Sequence, residues 1–173
     1  HESLFRVGSS QDLLPELHRA LSIALSGRKG PVLLDIPNNL QRAELSDAEV
    51  MEWINKPLPL DPVSSLGASD SELETLHAMC LAAKRPLICI GGGARWSNSL
   101  NSWLQAAEEC AIPYVSTLMG QERIPVGDHY FNTIGSYGNR EANCAVQNCD
   151  LLIVLGARLD VRQTGADVDD FAR

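Results

Sequence analysis

The chain has 173 residues, 45% of them hydrophobic and 21% charged. That composition suits a soluble globular core, and no apolar run approaches the ~18 residues that a membrane span requires. Net charge is −8, from 14 basic and 22 acidic residues with no Lys/Arg stripe, which argues against a nucleic-acid surface and leaves no membrane partner in view.

The chain opens on His1 and shows no signal-peptide pattern, so it reads as a piece of a longer cytoplasmic protein. Ser9 and Asp12 form an S-x-x-D helix start, followed by Leu14, Leu17, Leu21, Ala24 and Leu25 at helical spacing. Gly27 ends this helix. Gly30 and Pro31 then punctuate, and residues 32–36 read as a buried strand stopped by Pro37. With no strand ahead of the helix, this helix–strand pair is expected to be a remnant of another α/β domain. Residues 46–55 suggest a short helix. Pro57, Pro59 and Pro62, with Ser64, Ser65 and Gly67 after them, mark an extended linker.

Beyond the linker the order is regular. Asp70 is expected to cap a helix carrying Leu73, Leu76, Cys80 and Ala83, and Leu87–Ile90 is a strand that runs into Gly91, Gly92 and Gly93. Asn98 or Ser99 starts the next helix, with Leu100, Trp103, Leu104 and Ala107, and residues 114–117 form the second strand. A long loop holds Gly120, Pro125, Gly127, Gly135 and Gly138. Asn139 or Arg140 opens a helix to about Asn148, and Leu151–Leu155 is the third strand, ending at Gly156. Apolar strands alternating with helices predict an α/β fold with a doubly wound, Rossmann-like parallel sheet. The five cysteines form no C-x-x-C pair and read as reduced thiols rather than metal ligands.

Ligands of such sheets bind at the carboxyl ends of the strands. Three segments would therefore share one edge: Gly91–Gly93, Thr117–Gly120 and Gly156–Asp160. A triple glycine lets a ligand approach main-chain N–H groups, or it serves only as a tight turn. Trp96 stands where a third glycine of G-x-G-x-x-G would be, and Ser116 and Thr117 stand where a ribose-binding acid would be, so conventional NAD binding is disfavoured. Arg158 offers a donor fork to a diphosphate, and Asp160 suits a ribose hydroxyl or the orientation of Arg158; a structural ion pair is the competing reading. His18, His77 and His129 lack partners at catalytic or metal spacing, and no catalytic constellation stands out.

Several motifs together resemble a known family. Residues 30–37, Gly-Pro-Val-Leu-Leu-Asp-Ile-Pro, resemble the GPV-x-x-D-x-P segment that closes the pyrimidine-binding domain of thiamine-diphosphate enzymes. Residues 116–120 resemble the STLMG of acetolactate synthase large subunits, and residues 156–165 resemble their G-x-R-F-D-D-R-V-T-G. The resemblance implies that residues 1–42 end the pyrimidine-binding domain, that 43–68 are a linker, and that 69–173 are the central domain, cut before its last strand or strands. It implies a 2-oxo acid decarboxylase/carboligase that works as a homo-oligomer, with thiamine diphosphate and Mg²⁺ bound outside this chain and no catalytic residue or metal ligand within it.

The family's central domain holds FAD, and the resemblance carries flavin contacts over to Gly92, Thr117, Leu118, Gly135, Gly156, Arg158 and Asp160. Two departures bear on this expectation. Tyr137 replaces the histidine of the family's LGMHG, and Val161 replaces the acid after the matching aspartate. A central domain that holds ADP or another nucleotide, one that holds none, and a non-catalytic flavin or nucleotide carrier are the competing readings. The GPV-x-x-D-x-P segment argues against the carrier.

Overall fold

The computed structural model describes residues 4–27, 29–60, 67–125 and 127–172. They divide into two compact units, 1–67 and 68–173.

The first unit is a strand–helix–strand followed by a helix: β1 Leu4–Arg6, α1 Leu13–Leu25, β2 Leu33–Asp35 and α2 Asp47–Asn55. The sequence showed no strand ahead of the helix, but β1 is there and pairs parallel with β2, Phe5 opposite Leu34. Three residues are too few for a periodic pattern to register. The expected burial also differs. Leu33 lies exposed in β2, and Leu17 and Leu21 of α1 are exposed while Ala20 and Ser22 are buried. A two-stranded sheet offers too little face to cover a leucine stripe. Buried Ser22 satisfies its hydroxyl on the His18 carbonyl at 2.9 Å. The α2 N-terminus carries a full capping box, Ser46 with Glu49. Residues 61–66, in the expected linker, lie outside the described residues.

The second unit contains α3 Asp70–Ala82, β3 Pro86–Ile90, α4 Leu100–Glu109, β4 Tyr114–Ser116, β5 Tyr130–Thr133, α5 Arg140–Asn148, β6 Leu151–Leu155 and the short α6 Val161–Thr164. Ser69, not Asp70, caps α3, exchanging hydrogen bonds with Glu72 in a capping box. The strands form one all-parallel sheet in the order β5-β4-β3-β6. Successive residues of a strand point to opposite faces, so β3 feeds two cores. Ile88 and Ile90, with Tyr114 and Ile153, pack on Leu100, Leu104 and Ala107 of α4. Leu87 and Cys89, with Val115, pack on Ala142 and Val146 of α5. Each fully buried Leu or Ile here contributes about 1.5–3 kcal/mol. Burial pushes the Cys89 thiol up to about 12, so it acts as a packing residue.

The strand β5 is a second correction, since the sequence read its residues as loop. It is a short edge strand with a register shift against β4, and Asn132 sits at φ 72. A bulge with a left-handed residue breaks the alternation by which strands are recognised. At the other side of the sheet, the Asp150 carboxylate accepts from the N–H groups of Lys84 and Arg85 and ties the start of β6 to that of β3. Among the described residues no helix is long and apolar enough to cross a membrane.

Candidate functional site

In chain order the sheet runs outward from β3 to β4 to β5, and then crosses back to place β6 on the other side of β3. That reversal is a topological switch point, and the loops leaving β3 and β6 flank it.

Backbone hydrogen bonds join these two loops. Gly91 N–H donates to the Leu155 carbonyl at 2.8 Å, and Gly93 N–H donates to the Gly156 carbonyl at 2.9 Å. A Cβ on Gly91 would fall on the backbone of Ala157 and Gly156. Gly156 adopts φ 65, and a Cβ there would fall on Ala94 N and Gly93. The sequence attributed the triple glycine to a ligand's approach or to a bare turn. The structure spends two of its three N–H groups on closing the two loops against each other. Gly92 instead packs against Met119 of the neighbouring loop.

The β4 loop is fixed as tightly. Buried Thr117 donates its N–H to the Ile90 carbonyl, and Gly120 N–H closes a turn onto the Thr117 carbonyl. Gly120 lies so close to the Ile90 carbonyl that no side chain would fit. Between them Leu118 and Met119 are exposed. After β5, Gly135 at φ 92 is held by Asn143 through two hydrogen bonds, N–H to Oδ1 at 2.8 Å and Nδ2–H to the carbonyl at 3.1 Å. Ser136 N–H then donates to the Arg162 carbonyl, joining this loop to α6.

Arg158 and Asp160 form an ion pair at 3.3 Å, with the arginine side chain 73% exposed. Asp160 also caps α6: its Oδ1 accepts from Arg162 N–H at 2.9 Å, and the Asp160 N–H donates to Gln163 Oε1 at 2.9 Å. The carboxylate is thus partly committed to structure, while the exposed Arg158 guanidinium keeps donors beyond the one given to Asp160. Leu159 between them sits at φ 54, a left-handed conformation that costs a leucine about 1–2 kcal/mol. Trp96, Leu118, Met119, Tyr137 and Val161 are exposed, so each of the four strand-end loops carries a large apolar side chain at its surface.

At the opposite edge lies a cluster the sequence did not reveal. Glu108, at the end of α4, accepts from Tyr114 OH at 2.7 Å and from His129 Nδ1 at 2.7 Å. The two acceptor–donor positions of Glu108 and His129 are 21 residues apart, so no local motif marks them. The hydrogen bond from His129, and next that from Tyr114, hold the Glu108 carboxyl below its ordinary 4.5. Burial foremost, then Glu108, raises the Tyr114 phenol.

A carboxyl whose folded value is lowered stabilises the fold above its unfolded value, and that stability fades as pH falls through the folded one. Glu108→Gln is therefore expected to flatten the fall in melting temperature below pH ~4.5. Thermal melts across the acid range check this; an acid limb as steep as wild type refutes it. Among the described residues no three His, Cys, Asp or Glu side chains gather as a metal site would need.

Residues 73–173 match the family model for the central domain of thiamine pyrophosphate enzymes. The chain belongs to that family. It is 32% identical over 162 residues to the acetolactate synthase isozyme 2 large subunit of Escherichia coli K12, covering 93% of this chain and 28% of that protein. It is 37% identical over 171 residues to the acetolactate synthase large subunit of Corynebacterium glutamicum, covering 97% of this chain and 26% of that protein. With the large subunit of Cyanidium caldarium it shares 34% over 173 residues, 97% of this chain and 29% of the relative. The chain thus spans under a third of the length of these relatives. Within this thiamine pyrophosphate enzyme central domain, the two departures noted in the sequence are both solvent-facing, Tyr137 at 68% exposure and Val161 beside the Asp160 cap.

Proposed function

We propose that this chain is part of a thiamine-diphosphate-dependent, acetolactate-synthase-like decarboxylase/carboligase, and that its central domain binds FAD at the carboxyl edge of the sheet. The observation that carries the reading is the switch point itself. Four loops braced by backbone hydrogen bonds and glycine contacts present the exposed Arg158 and a rim of apolar side chains. A bare anion would need the arginine but not the rim.

The donor set fits a flavin nucleotide. When bound, FAD supplies a planar ring system and a diphosphate that together span several loops. Arg158 would hold the diphosphate, since its guanidinium has donors beyond the one given to Asp160. Leu118, Met119 and Tyr137 would cover the ring, and Gly92, Thr117, Gly135 and Gly156 would set the loops that bring these side chains together. Asp160 would act chiefly by orienting Arg158 and capping α6. In this reading FAD braces the domain and performs no redox step.

Thiamine diphosphate and Mg²⁺, held by residues outside 1–173, would supply the decarboxylation and carboligation of 2-oxo acids in a homo-oligomeric enzyme. The 173 residues alone would turn over no pyruvate.

One observation favours a second reading, a central domain that binds no nucleotide: the N–H groups of Gly91 and Gly93 are already consumed. A thermal shift separates the two. FAD at tenfold its dissociation constant stabilises by about 1.4 kcal/mol. For a domain of this size that raises the melting temperature by ~6–11 °C. No shift with FAD or ADP at millimolar concentration favours the nucleotide-free reading, and pyruvate consumption by the isolated chain overturns the inactive-fragment part.

A further inference from the structure

A line of hydroxyls, two of the three on buried residues, runs between β4 and β5 and ends at an exposed amide that no motif marks. Tyr130 OH lies 2.7 Å from Ser116 Oγ, Ser116 Oγ lies 3.5 Å from Thr133 Oγ1, and Thr133 Oγ1 donates to Gln121 Oε1 at 3.1 Å. Ser116 is 0% exposed and Thr133 is buried. The direction of the relay follows from proton counting. A threonine hydroxyl has one hydrogen, and Thr133 gives it to Gln121. Ser116 therefore donates to Thr133, and Tyr130 donates to Ser116. Chains of this kind strengthen one another in a buried setting.

The consequence falls on Gln121. Its Oε1 is held by the relay, so the amide is fixed with Nε2 as the remaining donor pair, and among the described residues Nε2 has no hydrogen-bond partner. Gln121 directly follows Gly120, which is pinned on the Ile90 carbonyl, and the next residue, Glu122, pairs with Arg95 of the β3 loop at 3.3 Å. The amide is thus exposed on the site's rim, beside exposed Leu118 and Met119.

We propose that Gln121 is a ligand-contacting, specificity-determining residue whose Nε2 donates to the acceptor edge of a planar heteroaromatic ring, with Thr133 as its positioning residue. The inference deepens the nucleotide reading above and rests on it. The chemistry is that of a ring carbonyl or ring nitrogen, which a flavin and an adenine both offer; the apolar neighbours cover the face of the ring and the amide reads its edge. A phosphate is the poorer match, because a neutral amide gives it less than Arg158 does.

The test titrates the purified protein containing this chain with FAD and, separately, with ADP. Gln121→Leu is expected to weaken FAD binding about tenfold, the value of one neutral hydrogen bond, and to lower the melting temperature modestly because buried Thr133 loses its acceptor. Thr133→Val is expected to weaken it several-fold and to add nothing in combination with Gln121→Leu, whereas Thr133→Ser restores wild-type affinity. Equal losses for FAD and ADP assign the contact to the adenine half, and a loss for FAD alone assigns it to the flavin half. Wild-type FAD and ADP affinities in Gln121→Leu overturn the inference and leave the nucleotide reading standing. Failure of the wild-type protein to bind either ligand overturns both.

Discussion

Gly156→Ala is expected to lower the melting temperature of the second unit by at least ~12 °C, from a loss of about 3–5 kcal/mol. Two costs combine. The residue holds φ 65, where any Cβ is strained, and the new methyl would overlap backbone atoms of Gly93 and Ala94 rather than the tip of a movable side chain. Relief requires the β3 and β6 loops to separate, which breaks the Gly93 N–H to Gly156 carbonyl bond at the switch point. The same substitution at Gly165, also at positive φ but with nothing within 4 Å, carries the strain without the collision and serves as the control. Equal melting temperatures for the two variants would falsify the collision argument.

Tyr114→Ala is the second large effect, a loss of about 3–5 kcal/mol for a buried aromatic cut to a methyl. Tyr114 is 1% exposed at the start of β4, stacks on Tyr130 with ring centroids 5.4 Å apart, and packs in the same core as Ile88 and Leu104. Its hydroxyl reaches the Glu108 carboxylate, so part of the loss is polar. Tyr114→Phe isolates that part and is expected to cost about 1–2 kcal/mol, since the ring stays and only the donor goes. Chemical denaturation of the three proteins measures both steps. A phenylalanine variant as unstable as the alanine variant would mean that the hydroxyl, not the ring, carries the site.

Where the chain repeats, the sequence was readable. The helices α3, α4 and α5 and the strands β3 and β6 announced themselves because long elements repeat a period and end on caps, glycines or prolines. Three apolar strands between helices were enough to predict a doubly wound parallel sheet, which is the observed architecture. What escaped was short or irregular. The strand β1 has three residues, and β5 carries Asn132 in a left-handed conformation at a register shift. In α1 the leucine stripe was visible, but the face it turns outward was not, because that depends on how much sheet is present to cover it.

At the candidate site the sequence pointed to the strand ends, and the structure gathers Gly91, Gly93 and Gly156 there within contact of one another. It could not say which groups those glycines meet, because their partners are backbone atoms, and every residue has the same backbone. Arg158 and Asp160 are close enough in sequence for their pairing to be foreseen, and they do pair. Asn143 on Gly135, Gln121 on Thr133 and His129 on Glu108 join residues from different elements. Such pairs become visible only once the sheet has set the distances.

The clasp between the β3 and β6 loops has an evolutionary consequence. Because it is made of main-chain atoms, it constrains only the glycines within it and is indifferent to the side chains around it. Positions such as Tyr137 and Val161 can drift through new chemistry while the frame beneath them stays closed.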